Sequence, residues 1–190
     1  MIDTSGTLNG TWHKKVRSGR YVDLRNPTPG IIDISDISFS LHNQCRYTGH
    51  VDFYSVAERS ILACELAVLD GCSDWELRAI LLHDAAEAYL SDVSRPLKLY
   101  LRSIGVTVYD ELSRKWDDVI GEKFGIDLQQ YHGVIKKYDN MMLKAEKARF
   151  WPGDTEEWEG LSSVADSSPR WRNFLPSSDG FLSWYTLLWS

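Results

Sequence analysis

An all-α domain is expected of this chain on three observations. Apolar residues recur at helical spacing in successive stretches from about residue 33 to residue 150. Three of those stretches open on the Ser/Thr-x-x-Glu/Asp pattern of a capping box. Strand signals are few. With 190 residues, 43% hydrophobic and 25% charged, the chain is long enough for one soluble domain with a real core.

Residues 1–30 are rich in Gly, Pro, Asn and Ser, and "RNPTPG" is the clearest loop. "GRYVDL" fits a short extended arm or hairpin. "DISDISFSLHNQCRY" then places Ile34, Ile37, Leu41 and Cys45 at helical spacing. "SVAE" at 55–58 predicts a capping box, with its helix running to about Asp70 and Gly71 as the stop. "SDWE" at 73–76 opens the next helix, and "TVYD" at 107–110 opens one that leads Val108, Leu112, Val119 and Ile120 towards Gly125. A long helix is expected over about 132–150, with Val134, Ile135, Tyr138, Met142 and Ala145 on its apolar side, until Pro152 in "WPGD" ends it. Five of the eight Trp fall at or after Trp151. So many large aromatics predict that this tail packs on the helices, with a short helix at "FLSWYTLLW".

The formal charge of −6 argues against a nucleic-acid partner. It leaves room for a small anionic substrate at a local basic cluster. Cys45, Cys64 and Cys72 are odd in number and show no CxxC spacing, as expected of thiols in a reducing cytoplasm. "MIDTSGTLNGTW" lacks the basic and apolar regions of a signal peptide, and no apolar run approaches the roughly 20 residues that span a bilayer. A soluble cytoplasmic protein is expected.

"RAILLHDAAEAYL", Arg78 to Leu90, raises the functional question. His83 and Asp84 interrupt an apolar helical stripe. Glu87 is four after His83 and three after Asp84, so all three project from one side of a helix. Carboxylates among Leu81, Leu82, Ala85, Ala86 and Ala88 are costly unless paired or metal-bound. A divalent cation is one solution; a satisfied core histidine beside a solvated aspartate is the plainer one. His50 in "RYTGH" and Asp139, inside the apolar face of "KKYDNMMLKAEK", supply further candidate ligands.

The order His50, His83-Asp84, Asp139 resembles the H…HD…D signature of the HD-domain metal-dependent phosphohydrolases. "GRYVDL", "CRYTGHVDFYSVAERS", "LLHDAAEAYLSDVSRPLK" and "YDNMMLKAE" are similar to successive blocks of one branch, which holds bacterial 5'-deoxynucleotidases and phage dATP triphosphohydrolases. The resemblance covers about residues 19–150 and leaves the tail unmatched. It implies a single HD-type helical domain over 1–190, with the arm in front and the tail packed behind. It also implies metal ligands His50, His83, Asp84 and Asp139, holding Zn²⁺, Mn²⁺ or Co²⁺, with Mg²⁺ or a second metal entering with a polyphosphate. Glu87 corresponds to the group that handles the attacking water, and Asp92 to a second acid near the phosphate. On sequence alone Asp92 serves equally as an N-cap after Leu90. Arg20 and Lys98, after Pro96, match phosphate-binding positions. Arg46 is a weaker phosphate candidate, and Tyr21 either walls off the base or simply packs. One departure stands at "AERS", residues 57–60, where many relatives carry a His near Arg59; that His is not read as a ligand.

The activity implied is hydrolysis of a deoxynucleoside triphosphate, dATP first, to deoxynucleoside and tripolyphosphate. The alternative is a 5'-deoxynucleotidase acting on dNMPs. A nucleotide-binding protein without turnover is the third reading, and its mark would be a lost ligand or a lost Glu87. A homo-oligomer, dimer or hexamer, is expected from the apolar area of the tail. No membrane and no nucleic acid are expected as partners.

Overall fold

The computed structural model describes residues 12–171 and 179–190. The class is all-α, as expected. A short hairpin, β1 (His13–Lys15) and β2 (Tyr21–Asp23), lies in front of α1 (Ile34–His42), α2 (Val56–Leu69) and α3 (Asp74–Leu82). They are followed by α4 (Glu87–Leu90), α5 (Arg95–Ser103), α6 (Val108–Phe124), α7 (His132–Phe150) and α8 (Asp179–Trp189). Among the described residues, no helix is long and apolar enough to cross a membrane.

Helix α2 is the axis of the bundle. Ser55 accepts from the Glu58 amide at 3.1 Å and opens it; Gly71, at φ 76°, takes the left-handed conformation that closes it. It packs against α1, α3, α7 and α8. It is therefore buried nearly all round, from Val56 and Ala57 to Leu66 and Ala67. Arg59 is the one charged residue among its ten buried positions.

The bounds of α7 are those expected. Ser73 and Glu76 form the complete capping box at the start of α3. At 107–110 the box does not form: the Thr107 hydroxyl donates to the Glu111 carboxylate at 2.7 Å instead of capping an amide. Helix α5 adds to the expected elements: Leu97, Tyr100, Leu101 and Ile104 recur at helical spacing, yet none of its residues is buried. Cys45, expected on the first helix, lies beyond its end and bridges to Ser55.

The expected single helix over 78–90 is broken. α3 ends at Leu82, and hydrogen bonds Ala85 N to Leu82 O (2.9 Å) and Glu87 N to Asp84 O (3.0 Å) tighten the turn to three residues. Side chains three apart eclipse in such a turn, so Asp84 and Glu87 stay aligned. α4 then ends on Ser91 at φ 75° and ψ 154°, a region ordinarily left to glycine. That strained bend returns the chain so that the Asp92 amide donates to Gln44 Oε1 at 3.0 Å.

The tail packs as its aromatic content predicts. Trp171 meets Tyr54 and Phe150 edge-on, and α8 buries Phe181 and Leu188 against the bundle. On the opposite side Trp116 stacks on Tyr89 with centroids 4.2 Å apart and donates from its indole to the Leu24 carbonyl at 2.9 Å. This pins α4, which carries Glu87, to α6.

Candidate functional site

Arg59 of α2 stands at the centre of a polar cluster. From Nη1 it donates to His83 Nε2 at 2.8 Å and to Asp84 Oδ2 at 3.0 Å. Nη2 donates to the Asp139 carboxylate and, at 3.3 Å, to the Asp139 carbonyl. Its Nε lies 3.2 Å from Glu146 Oε1. The Arg59 side chain is only 3% exposed and Glu146 is fully buried, so this is an interior ion network. His83 is fixed from behind: Nδ1 lies 2.7 Å from the Ile80 carbonyl. A carbonyl only accepts, so Nδ1 carries the proton and Nε2 turns its lone pair to the Arg59 N–H. Burial by itself raises the Asp84 carboxyl. The Arg59 guanidinium, which donates to it, and Arg46 reverse this and hold it well below the usual carboxylate range.

Of the candidate ligands, His83, Asp84 and Asp139 are brought together. His50 is not. It caps the 3₁₀ turn Arg46–Gly49, lies exposed, and among the described residues makes no hydrogen bond or ion pair with the other three. The fourth corner is held by residue 59. Glu146, outside the expected ligand set, completes the network and accepts from Tyr54 at 2.9 Å and from Tyr47. Its signal was available: Glu146 follows Asp139 by seven, two helical turns along one face.

Glu87 sits beside this network, 9% exposed. Burial, then the Asp84 and Asp92 charges, pushes its carboxyl well above the usual range. Lys98 approaches its Oε1 at 3.7 Å, while Oε2 is buried with no hydrogen-bond partner among the described residues. Lys98 also lies over the Tyr109 ring at 5.4 Å.

A cavity of about 560 Å³ adjoins the network, lined by Arg46, Tyr47, His50, Asp92, Pro96, Trp151 and Trp158 among others. Arg46 joins the two. Its guanidinium approaches Glu146 Oε2 at 3.6 Å and Asp92 Oδ2 at 4.0 Å, and its buried Nε has no hydrogen-bond partner among the described residues. Tyr47 and Thr48, both at φ 55°, hold this wall in a left-handed turn. Arg20 and Tyr21 lie elsewhere. Arg20 pairs with Asp33 at 3.1 Å and Asp36 at 3.3 Å, tying the hairpin to α1, and Tyr21 is exposed under Lys15.

A second cleft, of about 420 Å³, is acidic, with Asp117, Asp118, Glu122 and Asp127 in its wall, and offers an anion nothing. Burial, then Asp84 and Asp118, raises the Asp117 carboxyl to about 7. A carboxyl raised on folding keeps its proton longer than in the unfolded chain. The contribution of Asp117 to folding stability is therefore full below about pH 4 and is lost as pH climbs to about 7. Asp117→Asn should flatten that fall; equal pH slopes in urea unfolding of both proteins would exclude it.

No family model matches the chain. It is 32% identical over 151 residues to the uncharacterized protein YfdR of Escherichia coli K12, an alignment covering 79% of each chain. The chain belongs to the YfdR family. It is also 40% identical over 112 residues, 56% of each chain, to the uncharacterized protein RCAP_rcc00048 of Rhodobacter capsulatus. In this member of the YfdR family the donor types suit a borderline transition metal. The arrangement does not fit one. Among the described residues no three His, Cys, Asp or Glu side chains are disposed to hold a metal ion. The physical reason is Arg59: a cation about 2.0–2.2 Å from His83 Nε2 and Asp84 Oδ2 would overlap Nη1.

Proposed function

We propose that the chain binds a phosphorylated nucleoside in the cavity beside the Arg59 network, without metal-dependent turnover. The deoxynucleotide class is what the HD-type resemblance implies. The observation that carries the binding is Arg46. Its charge is held in place by Glu146 and Asp92, its guanidinium makes no side-chain hydrogen bond among the described residues, and it lines a cavity large enough for a nucleotide. Tyr47, Trp151 and Trp158 provide flat apolar walls for a base. Titration calorimetry with dATP, dAMP, deoxyadenosine and inorganic tripolyphosphate tests this. dATP and dAMP should bind at least about tenfold more tightly than deoxyadenosine. No heat with any of them at millimolar concentration would remove the reading.

Hydrolysis of a dNTP or dNMP is the second reading, and Glu87 favours it. A buried carboxyl with a raised affinity for its proton, 3.7 Å from Lys98, is suited to handling the proton of an attacking water. That chemistry would need a divalent metal in place of the Arg59 guanidinium. A panel of dNTPs, NTPs and dNMPs with Mn²⁺, Co²⁺, Zn²⁺ and Mg²⁺, resolved by ion exchange, separates the two. The binding reading predicts unchanged nucleotide in every lane. Deoxynucleoside with tripolyphosphate, or with phosphate from a dNMP, reverses the order. Glu87→Ala should then lose kcat by about 10² or more while still binding nucleotide.

The same proposal includes a homo-oligomer. The tail aromatics among the described residues are half-buried or buried, and a cluster of exposed apolar side chains lies at Leu97, Leu99 and Tyr100 on α5, Ile104 at its end and Val108 at the start of α6. Light scattering at micromolar concentration should give a multiple of the chain mass; a monomer mass would exclude it.

A further inference from the structure

We infer that Arg59 is the built-in cation of this centre: a side chain from α2 fills a socket whose donors would otherwise accept a divalent transition metal. Two of the acceptors converge on one nitrogen, Nη1, and a third meets its neighbour Nη2. His83 Nε2 and Asp84 Oδ2 stand 2.9 Å apart and both receive Nη1. Two octahedral ligands at about 2.0–2.1 Å are separated by about 2.9 Å and two tetrahedral ones by about 3.3 Å, so the pair stands close to the span of a coordination edge. Asp139 closes the socket from α7 through Nη2. The Nδ1 bond from His83 to the Ile80 carbonyl is the outer support that a metal-binding imidazole ordinarily has.

Charge gives the same assignment. Asp84, Asp139 and Glu146 face Arg59 in the interior, with Arg46 sharing Glu146 and Lys136 reaching Asp139 at 3.2 Å. Without Arg59 these carboxylates need another cation. A guanidinium and a metal ion cannot both be present, since Nη1 lies within hydrogen-bond distance of two of the donors. An arginine also has no lone pair to give a metal. Exchanging Arg59 for a histidine therefore does two things: it vacates the spot and supplies a ligand. The inference rests on the polar cluster alone and stands whether or not the neighbouring cavity takes a nucleotide.

Equilibrium dialysis of the full chain against Zn²⁺, Mn²⁺ and Co²⁺, with elemental analysis, tests it. The wild-type chain should retain less than about 0.1 equivalent, Arg59→His about one, and Arg59→His with Asp139→Asn much less. Arg59→His should also show the visible absorption of bound Co²⁺ and melt higher with the metal. If Arg59→His is unfolded alone, refolding it with Co²⁺ gives the answer by circular dichroism. Recovery of the helical signal supports the socket. A wild-type chain that holds about one equivalent and loses it in Asp84→Asn overturns the inference. So does an Arg59→His chain that takes up no metal, either folded or on refolding with Co²⁺.

Discussion

Arg59→Ala should lower folding stability by about 3–5 kcal/mol, read as the shift in urea unfolding. The size follows from what is left behind. Asp84, Asp139 and the fully buried Glu146 would lose the guanidinium that each of them faces. Removing one partner of a buried network leaves charges that the remaining partners, Tyr47 and Tyr54 at Glu146 and Lys136 at Asp139, compensate only in part. Arg46 remains near Glu146 at 3.6 Å but is too distant for a hydrogen bond. Two comparisons make the cause visible. Glu146→Gln in the Arg59→Ala background should recover part of the loss, because it removes one of the stranded charges. Arg59→Lys should recover less than its charge suggests, since one ammonium cannot reach the four groups that a planar fork reaches. A loss below about 1 kcal/mol for Arg59→Ala would mean that the carboxylates find other partners or water, and that the network is not closed.

How far the sequence disclosed this site depends on which residue is asked about. The periodicity placed α2 and α7 because each buries an apolar stripe; Ser55 and Gly71 marked the ends of α2, and Pro152 the end of α7. The gathering of His83, Asp84 and Asp139 was legible, since charged groups on apolar stripes must find one another. The fourth corner was misplaced for a physical reason. His50 has the right chemistry but sits on an exposed turn, whereas Arg59 has the wrong chemistry for a ligand and the right position. Its signal was its place in "SVAERSILACELA", three after Val56 and four before Ala63 on a helix buried all round. An arginine there must meet carboxylates inside the protein. The break after Leu82 was not legible, because "LLHDAAEAYL" has helical propensity throughout and the tightening is made by main-chain bonds. Arg20 matched a phosphate-binding position in sequence, but Asp33 and Asp36 hold it at the hairpin.

The largest effect on binding is expected at Arg46. Arg46→Met keeps the bulk of the stem and removes the one guanidinium that lines the cavity without a side-chain hydrogen bond. Losing one partner of a buried charge pair typically weakens binding by about 2–5 kcal/mol, which is roughly 30-fold to several thousandfold in Kd for dATP. The loss should be confined to phosphorylated ligands. Deoxyadenosine, which lacks the group that Arg46 would meet, should bind the variant and the wild type within about threefold. Trp158→Ala is the complement. It removes part of a flat wall, so all base-containing ligands should weaken by a similar factor, about tenfold or less, and tripolyphosphate should not weaken at all. Urea unfolding must accompany both variants, because Glu146 and Asp92 lose a neighbour in Arg46→Met. A folded Arg46→Met chain that binds dATP as the wild type does would remove Arg46 from the phosphate site. With it would go the observation on which the nucleotide reading rests, leaving the Arg59 socket as an independent property of the same interior.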